Sequence, residues 1–74
     1  MMGSIIDQII PIAKSLDHPV SAPEMARIIY GEPTHNDIVN MHGRFKRLER
    51  QGYIRVKDRI RIDAKWVVTY EVIE

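Results

Sequence analysis

The apolar pattern of this chain changes period at Gly52, and that switch restricts the accessible folds more than any other feature. Up to Gly52 the apolar residues recur every three or four positions; beyond it they alternate. Helical segments followed by a β-hairpin are the arrangement such a pattern specifies. Seventy-four residues hold one domain, spanning 1–74, with a small core. The chain has no cysteine, so neither a disulfide nor a thiolate zinc site supports that core.

Start and stop signals place the helices. The first is predicted near 4–17, with Ser4 as N-cap, Asp7 three residues later, and Ile5, Ile9, Ile12 and Leu16 at helical spacing. Pro11 removes a backbone donor mid-helix and is expected to kink or split it. The second, near 22–30, follows Ser21 as N-cap with Pro23 early and Glu24 at the capping-box position. Gly31 and Pro33 stop it. The third, near 35–51, starts at Thr34 with Asp37 answering, buries Ile38, Met41, Phe45 and Leu48, and closes at Gly52. Only Gly31 to Pro33 separate the second helix from the cap of the third, which is the helix-turn-helix arrangement.

A hairpin is predicted over 53–73. Alternation puts Ile54, Val56, Ile60 and Ile62 on one side, interrupted by Asp58, and Tyr53, Arg55, Lys57, Arg59 and Arg61 on the other. The return strand is the β-branched and aromatic run from Trp66 to Ile73, with the tip between Asp58 and Lys65. Trp66, Tyr53 and Tyr70 are expected in the sheet core and at the base of the hairpin.

Charge is unevenly distributed. Residues 1–33 carry two bases and four acids, net −2; residues 34–65 carry nine bases and four acids, net +5; the last nine carry two acids, for a total of +1. One strongly basic third in a near-neutral chain is what a phosphate-binding surface looks like, and a solvated charged face is the alternative.

The order of elements, with the segment Phe45-Lys46-Arg47-Leu48-Glu49-Arg50-Gln51-Gly52-Tyr53-Ile54-Arg55, resembles the winged helix-turn-helix superfamily of small prokaryotic, archaeal and viral regulators. The resemblance covers nearly the whole chain. It implies an α+β fold of three helices with a C-terminal β-hairpin wing. It also implies a double-stranded DNA-binding protein, a sequence-specific transcriptional regulator or small accessory factor, with the third helix in the major groove and the wing on the backbone. Two departures stand out: Pro11 lies in the first helix, and no effector or ligand domain is expected beside the DNA-binding core.

With the buried stripe of the third helix inward, Asn36, Val39, Asn40, Gly43, Arg47 and Arg50 face outward, flanked by Arg44 and Lys46. Asn suits adenine edges and Arg suits guanine edges, so Asn36, Asn40, Arg44 and Arg47 are candidate base readers. Gly43 would let a DNA strand approach the helix backbone. The alternative is an ordinary polar helix surface with Gly43 packed against Ile60 or a neighbouring chain. Arg55, Lys57, Arg59, Arg61 and Lys65 are the candidate wing contacts, against the alternative of an edge strand protected by charge.

Nothing points to catalysis. His18, His35 and His42 lack ligand-spaced partners, Ser21 has a capping role, and there is no glycine-rich phosphate loop. No enzyme, metal or cofactor is expected, and no small-molecule ligand. No apolar run approaches the roughly 20 residues of a membrane span, and Met1 to Asp7 do not read as a secretory signal, so the expected location is the cytoplasm. Ile6 and Ile10 widen the apolar arc of the first helix beyond what a three-helix core requires, which implies a homodimer through that helix. A bend at Pro11 that folds both isoleucines inward is the competing account. The alternative function is a winged-helix protein-interaction module within a larger assembly.

Overall fold

The computed structural model describes residues 4–74. Met1 to Gly3, on which the expected absence of a secretory signal partly rests, lie outside the described residues. The elements run α1 (Ile5–Ser15), β1 (Val20–Ser21), α2 (Ala22–Tyr30), α3 (His35–Arg50), β2 (Ile54–Ile62) and β3 (Lys65–Val72). The three strands form one antiparallel sheet in the order β1-β3-β2. This α+β layout of three helices and a C-terminal hairpin is consistent with a winged helix. Among the described residues no helix is long and apolar enough to cross a membrane.

The helix boundaries follow the capping chemistry. Thr34 and Asp37 make a reciprocal capping box: the Thr34 N–H donates to Asp37 Oδ2 at 2.9 Å, and the Asp37 N–H donates to Thr34 Oγ1 at 3.2 Å. At the other end Gly52, at φ 88°, donates to the Glu49 carbonyl while Tyr53 donates to Leu48, both at 3.0 Å. That bond pair is a Schellman cap, and its positive φ is why a glycine stands there. The Ser21–Glu24 box is only half made. Ser21 Oγ accepts from the Glu24 N–H at 3.2 Å, but the Glu24 carboxylate turns to His18 Nε2 at 2.6 Å. Helix α1 runs through Pro11 as a single 11-residue element and stops at Ser15, two residues short of the expected end. Ile9 is buried and Ile5, Ile6, Ile10, Ile12 and Ala13 pack around the core, which outweighs the one lost hydrogen bond.

Every helix and strand contributes to the core: Ile9, Val20, Ala22, Met25, Ala26, Met41, Phe45, Leu48, Ile54 and Tyr70. The Phe45 and Tyr70 rings meet edge-to-face at 5.0 Å between centroids and 79° between planes, tying α3 to β3. Leu48 and Ile54, on either side of Gly52, are both buried, so the helix end packs beneath the sheet. Strand β1 went unrecognised in the sequence because two residues are too short to display a period. Its pairings, Val20 with Tyr70 and Ser21 with Thr69, fasten the helices to the sheet.

The hairpin departs from simple alternation. Val56 pairs with Tyr70, but the next pair is Asp58 with Thr69, so Lys57 is the extra residue of a β-bulge. Cross-strand partners share a face. Ile54, Val56, Val68, Tyr70 and Val72 therefore lie on the helix side, and the bulge carries Arg59 (opposite Val68) and Arg61 (opposite Trp66) onto that same side. Ile60 and Ile62, expected beside Ile54 and Val56, go to the outer face and are 49% and 52% exposed. Unbroken alternation would have put the Asp58 carboxylate among the core residues. The bulge turns it outward instead, and burying an unpaired carboxylate is the larger penalty. The tip is Asp63 and Ala64, at φ 48° and 66°, a two-residue mirror-image turn made without the usual glycine. Tyr70 is in the core as expected, but Trp66 and Tyr53 are not: they are 61% and 55% exposed.

Candidate nucleic-acid interface

Helix α3 presents one continuous exposed face. Its buried stripe of Met41, Phe45 and Leu48, with Ile38 half-buried beside it, fixes the rotation of the helix. Asn36, Val39, Asn40, Gly43, Arg47 and Arg50 are then exposed, as their spacing requires. From Asn36 to Arg50 the face runs about 21 Å at 1.5 Å per residue, a length that fits a major groove. Lys46 is exposed on the flank, with its Nζ 3.8 Å from Glu49 Oε1. Gly43 does not pack against Ile60: a Cβ built there meets nothing of this chain within 4 Å.

Arg44 behaves differently from its neighbours. It is half-buried, and it lines an open cleft with Asn40, Gly43 and Arg47 of α3 and with Ser4, Ile5 and Ile6 of α1. An adjoining cleft between the same helices shares Ile6 and Arg47 and reaches Tyr53.

The wing candidates are divided between two faces. Arg55 lies on the outer face, where its Nε donates to Glu71 Oε2 at 2.8 Å across the strands. Lys65, opposite Ile62, shares that face, and Lys57 sits at the bulge. Arg59 and Arg61 lie on the helix side, past the end of the packed core, and both are exposed. The Arg61 guanidinium stands 5.9 Å from the Trp66 ring centroid, a cation–π pairing that orients both side chains. The expected single basic side of the hairpin is thus two basic groups, and the bulge separates them.

His18 is the centre of the other polar cluster, which spacing alone does not reveal because its shorter contact is to Glu24, six residues away. Its Nδ1 meets Asp17 Oδ1 at 3.1 Å and its Nε2 meets Glu24 Oε2 at 2.6 Å. The Glu24 hydrogen bond first, and the Asp17 one second, raise the imidazole above its ordinary 6.5. Among the described residues no group of three or more His, Cys, Asp and Glu is arranged to hold a metal ion.

No protein-family model, curated protein or solved structure matches this chain.

Proposed function

We propose that this chain is a winged-helix protein that binds double-stranded DNA, with α3 in the major groove and the distal hairpin along the backbone, and that it catalyses no reaction. The observation that carries this reading is the exposed α3 face. Asn36, Asn40, Arg47 and Arg50 offer base- and phosphate-directed donors along one line, broken only by Val39 and by Gly43 with open space in front of it. Arg59 and Arg61, exposed on the helix side of the hairpin, add two further basic side chains. A cytoplasmic regulator or DNA-binding accessory factor is the role that fits. Fluorescence anisotropy with a random duplex at two salt concentrations tests it. Binding should weaken steeply with salt, by roughly one power of the salt concentration for each phosphate neutralised. Absence of binding at low salt, or binding indifferent to salt, sinks the reading.

A second reading, a protein-interaction module, draws on the exposed Ile60, Ile62 and Trp66 at the end of the hairpin. Such a module would bind its partner without the steep salt dependence. A homodimer would set two α3 helices on successive major grooves about 34 Å apart. Its expected surface on α1 is modest, since Ile6 and Ile10 are half-buried against the core. Sedimentation equilibrium at micromolar concentration decides between monomer and dimer.

A further inference from the structure

Arg44 Nη1 is shut off from solvent and has no hydrogen-bond partner among the described residues. Folded proteins rarely leave a buried charged donor in that state without a use for it. The side chain borders the cleft between α3 and the first turn of α1, where Arg47 and Asn40 also stand. None of the described residues lining that cleft is acidic. The acid of the first turn, Asp7, caps the Ser4 N–H through Oδ2 at 3.3 Å and lines the adjoining cleft instead. Ile5 and Ile6 are the first two residues of α1, whose N–H groups have no acceptor within the helix and sit at the positive end of its dipole. Gly43 supplies a wall with no side chain in the way.

We propose that this cleft seats one backbone phosphate of the bound duplex, held by Arg44 together with Arg47, so that Arg44 sets the position of α3 in the groove and reads no base. The proposal rests on the DNA-binding reading above and gives one residue a different role within it. In the free protein Arg44 is half-buried and its Nη1 donor has no partner among the described residues. A rotamer change into the cleft releases that donor, and a phosphate oxygen is an acceptor whose geometry matches the guanidinium fork. Two guanidiniums and a helix N-terminus around a cleft without acids give the phosphate a favourable potential. Because every nucleotide carries the same phosphate, this contact contributes affinity and register without sequence preference.

The test compares wild type, Arg44→Met and Arg44→Lys on random duplexes across a salt series, with amide spectra followed during duplex addition. Arg44→Met should bind about tenfold more weakly on every sequence, with a salt slope shallower by about one. Arg44→Lys, which keeps the charge, should recover most of the slope. The Ile5 and Ile6 amide signals should move on duplex addition in wild type and far less in Arg44→Met. Without DNA, Arg44→Met should melt no lower than wild type, because the unpaired donor is gone. If wild type binds DNA but Arg44→Met keeps the full salt slope and the full Ile5 and Ile6 shifts, the phosphate seat is overturned and the DNA reading survives. A loss confined to particular sequences also overturns it, by returning Arg44 to base reading. If wild type binds no duplex at low salt, both fall together.

Discussion

Helix α3 and strand β2 each carry four basic residues, Arg44, Lys46, Arg47 and Arg50 on the one and Arg55, Lys57, Arg59 and Arg61 on the other, yet only the helix points them where a simple period dictates. In a helix the bonds that set the phase lie within the element, so once Thr34 and Gly52 fix the ends, each side chain's direction follows from its number. A strand has no such internal clock. Its phase comes from the partner strand, and one extra residue at Lys57 reverses every side chain beyond it. A basic helix can therefore be oriented from sequence, whereas a basic strand can be oriented only as far as its first bulge.

The two regions also differ in how firmly they are held, and this gives the largest expected effect. Phe45 is fully buried and meets Tyr70 edge-to-face. Phe45→Ala should cost about 3–5 kcal/mol. Domains are stable by only about 5–15 kcal/mol, so a 74-residue chain would lose much of its stability. Ile60→Ser, on the exposed outer face of the distal hairpin, should change stability by no more than about 0.5 kcal/mol. Urea unfolding of the two variants checks the contrast. Comparable losses would mean that the distal hairpin is packed against something.

The bulge itself can be removed. Deleting Lys57 takes out the extra residue and leaves every pairing on either side of it in place, so Arg59 and Arg61 should stay on the helix side and Ile60 and Ile62 on the outer face. If those two arginines contact DNA, the Arg59→Ala/Arg61→Ala double variant should weaken binding to all sequences, whereas the deletion, which keeps their facing, should bind much like wild type. The double variant should flatten the salt slope by about one unit per lost contact. Arg55→Ala, whose guanidinium is already engaged by Glu71, should do much less. An anisotropy series over salt ranks the four proteins. If the deletion binds as weakly as the double variant, the bend made by the bulge, and not only the facing of these residues, matters to DNA.

The helical half was legible because its signals are local. The Thr34–Asp37 box, the Gly52 cap and the Met41–Phe45–Leu48 stripe are each set by residues within one or two turns. What escaped the sequence depends on distant partners. Strand β1 exists only because β3 is beside it, Glu24 leaves its capping-box role only because His18 is within reach, and Trp66 is exposed only because the hairpin outruns the core. Asp58, which broke the apolar alternation, was the available sign of the bulge. Its interruption marks the point where the phase reverses.

Gly43 sharpens the comparison on the helical side. Its position in a helix interior, with open space where a Cβ would stand, makes Gly43→Ala an unobstructed gain in helix propensity of about 1 kcal/mol. If DNA backbone approaches this point, the added methyl should weaken binding while it raises the melting temperature. A variant that is more stable and binds equally well would mean that the duplex keeps its distance from this stretch of α3.

The smallest effect belongs to the joint between the two regions, where His18 stands just before β1 and reaches into α2 through Glu24. Hydrogen bonds to Glu24 and then Asp17 raise the folded-state pKa of His18 above 6.5, so its stabilisation is complete below that value and fades as pH rises through the raised one. Asp17 works in the opposite sense. The His18 hydrogen bond, and then its own backbone, lower it from 3.8, so its contribution is present above 3.8 and is lost as pH falls through the depressed value. The joint is therefore tightest in mildly acidic solution, between those two limits. Lys14, Glu71 and Glu74 line the same cleft and add background charge. Since His18 and Asp17 are open to water, the shift in melting temperature should be small, but its direction is fixed: downward as pH rises from about 6 to about 8. In His18→Gln that decline should disappear. If the decline persists unchanged in His18→Gln, the His18 contacts are not its source.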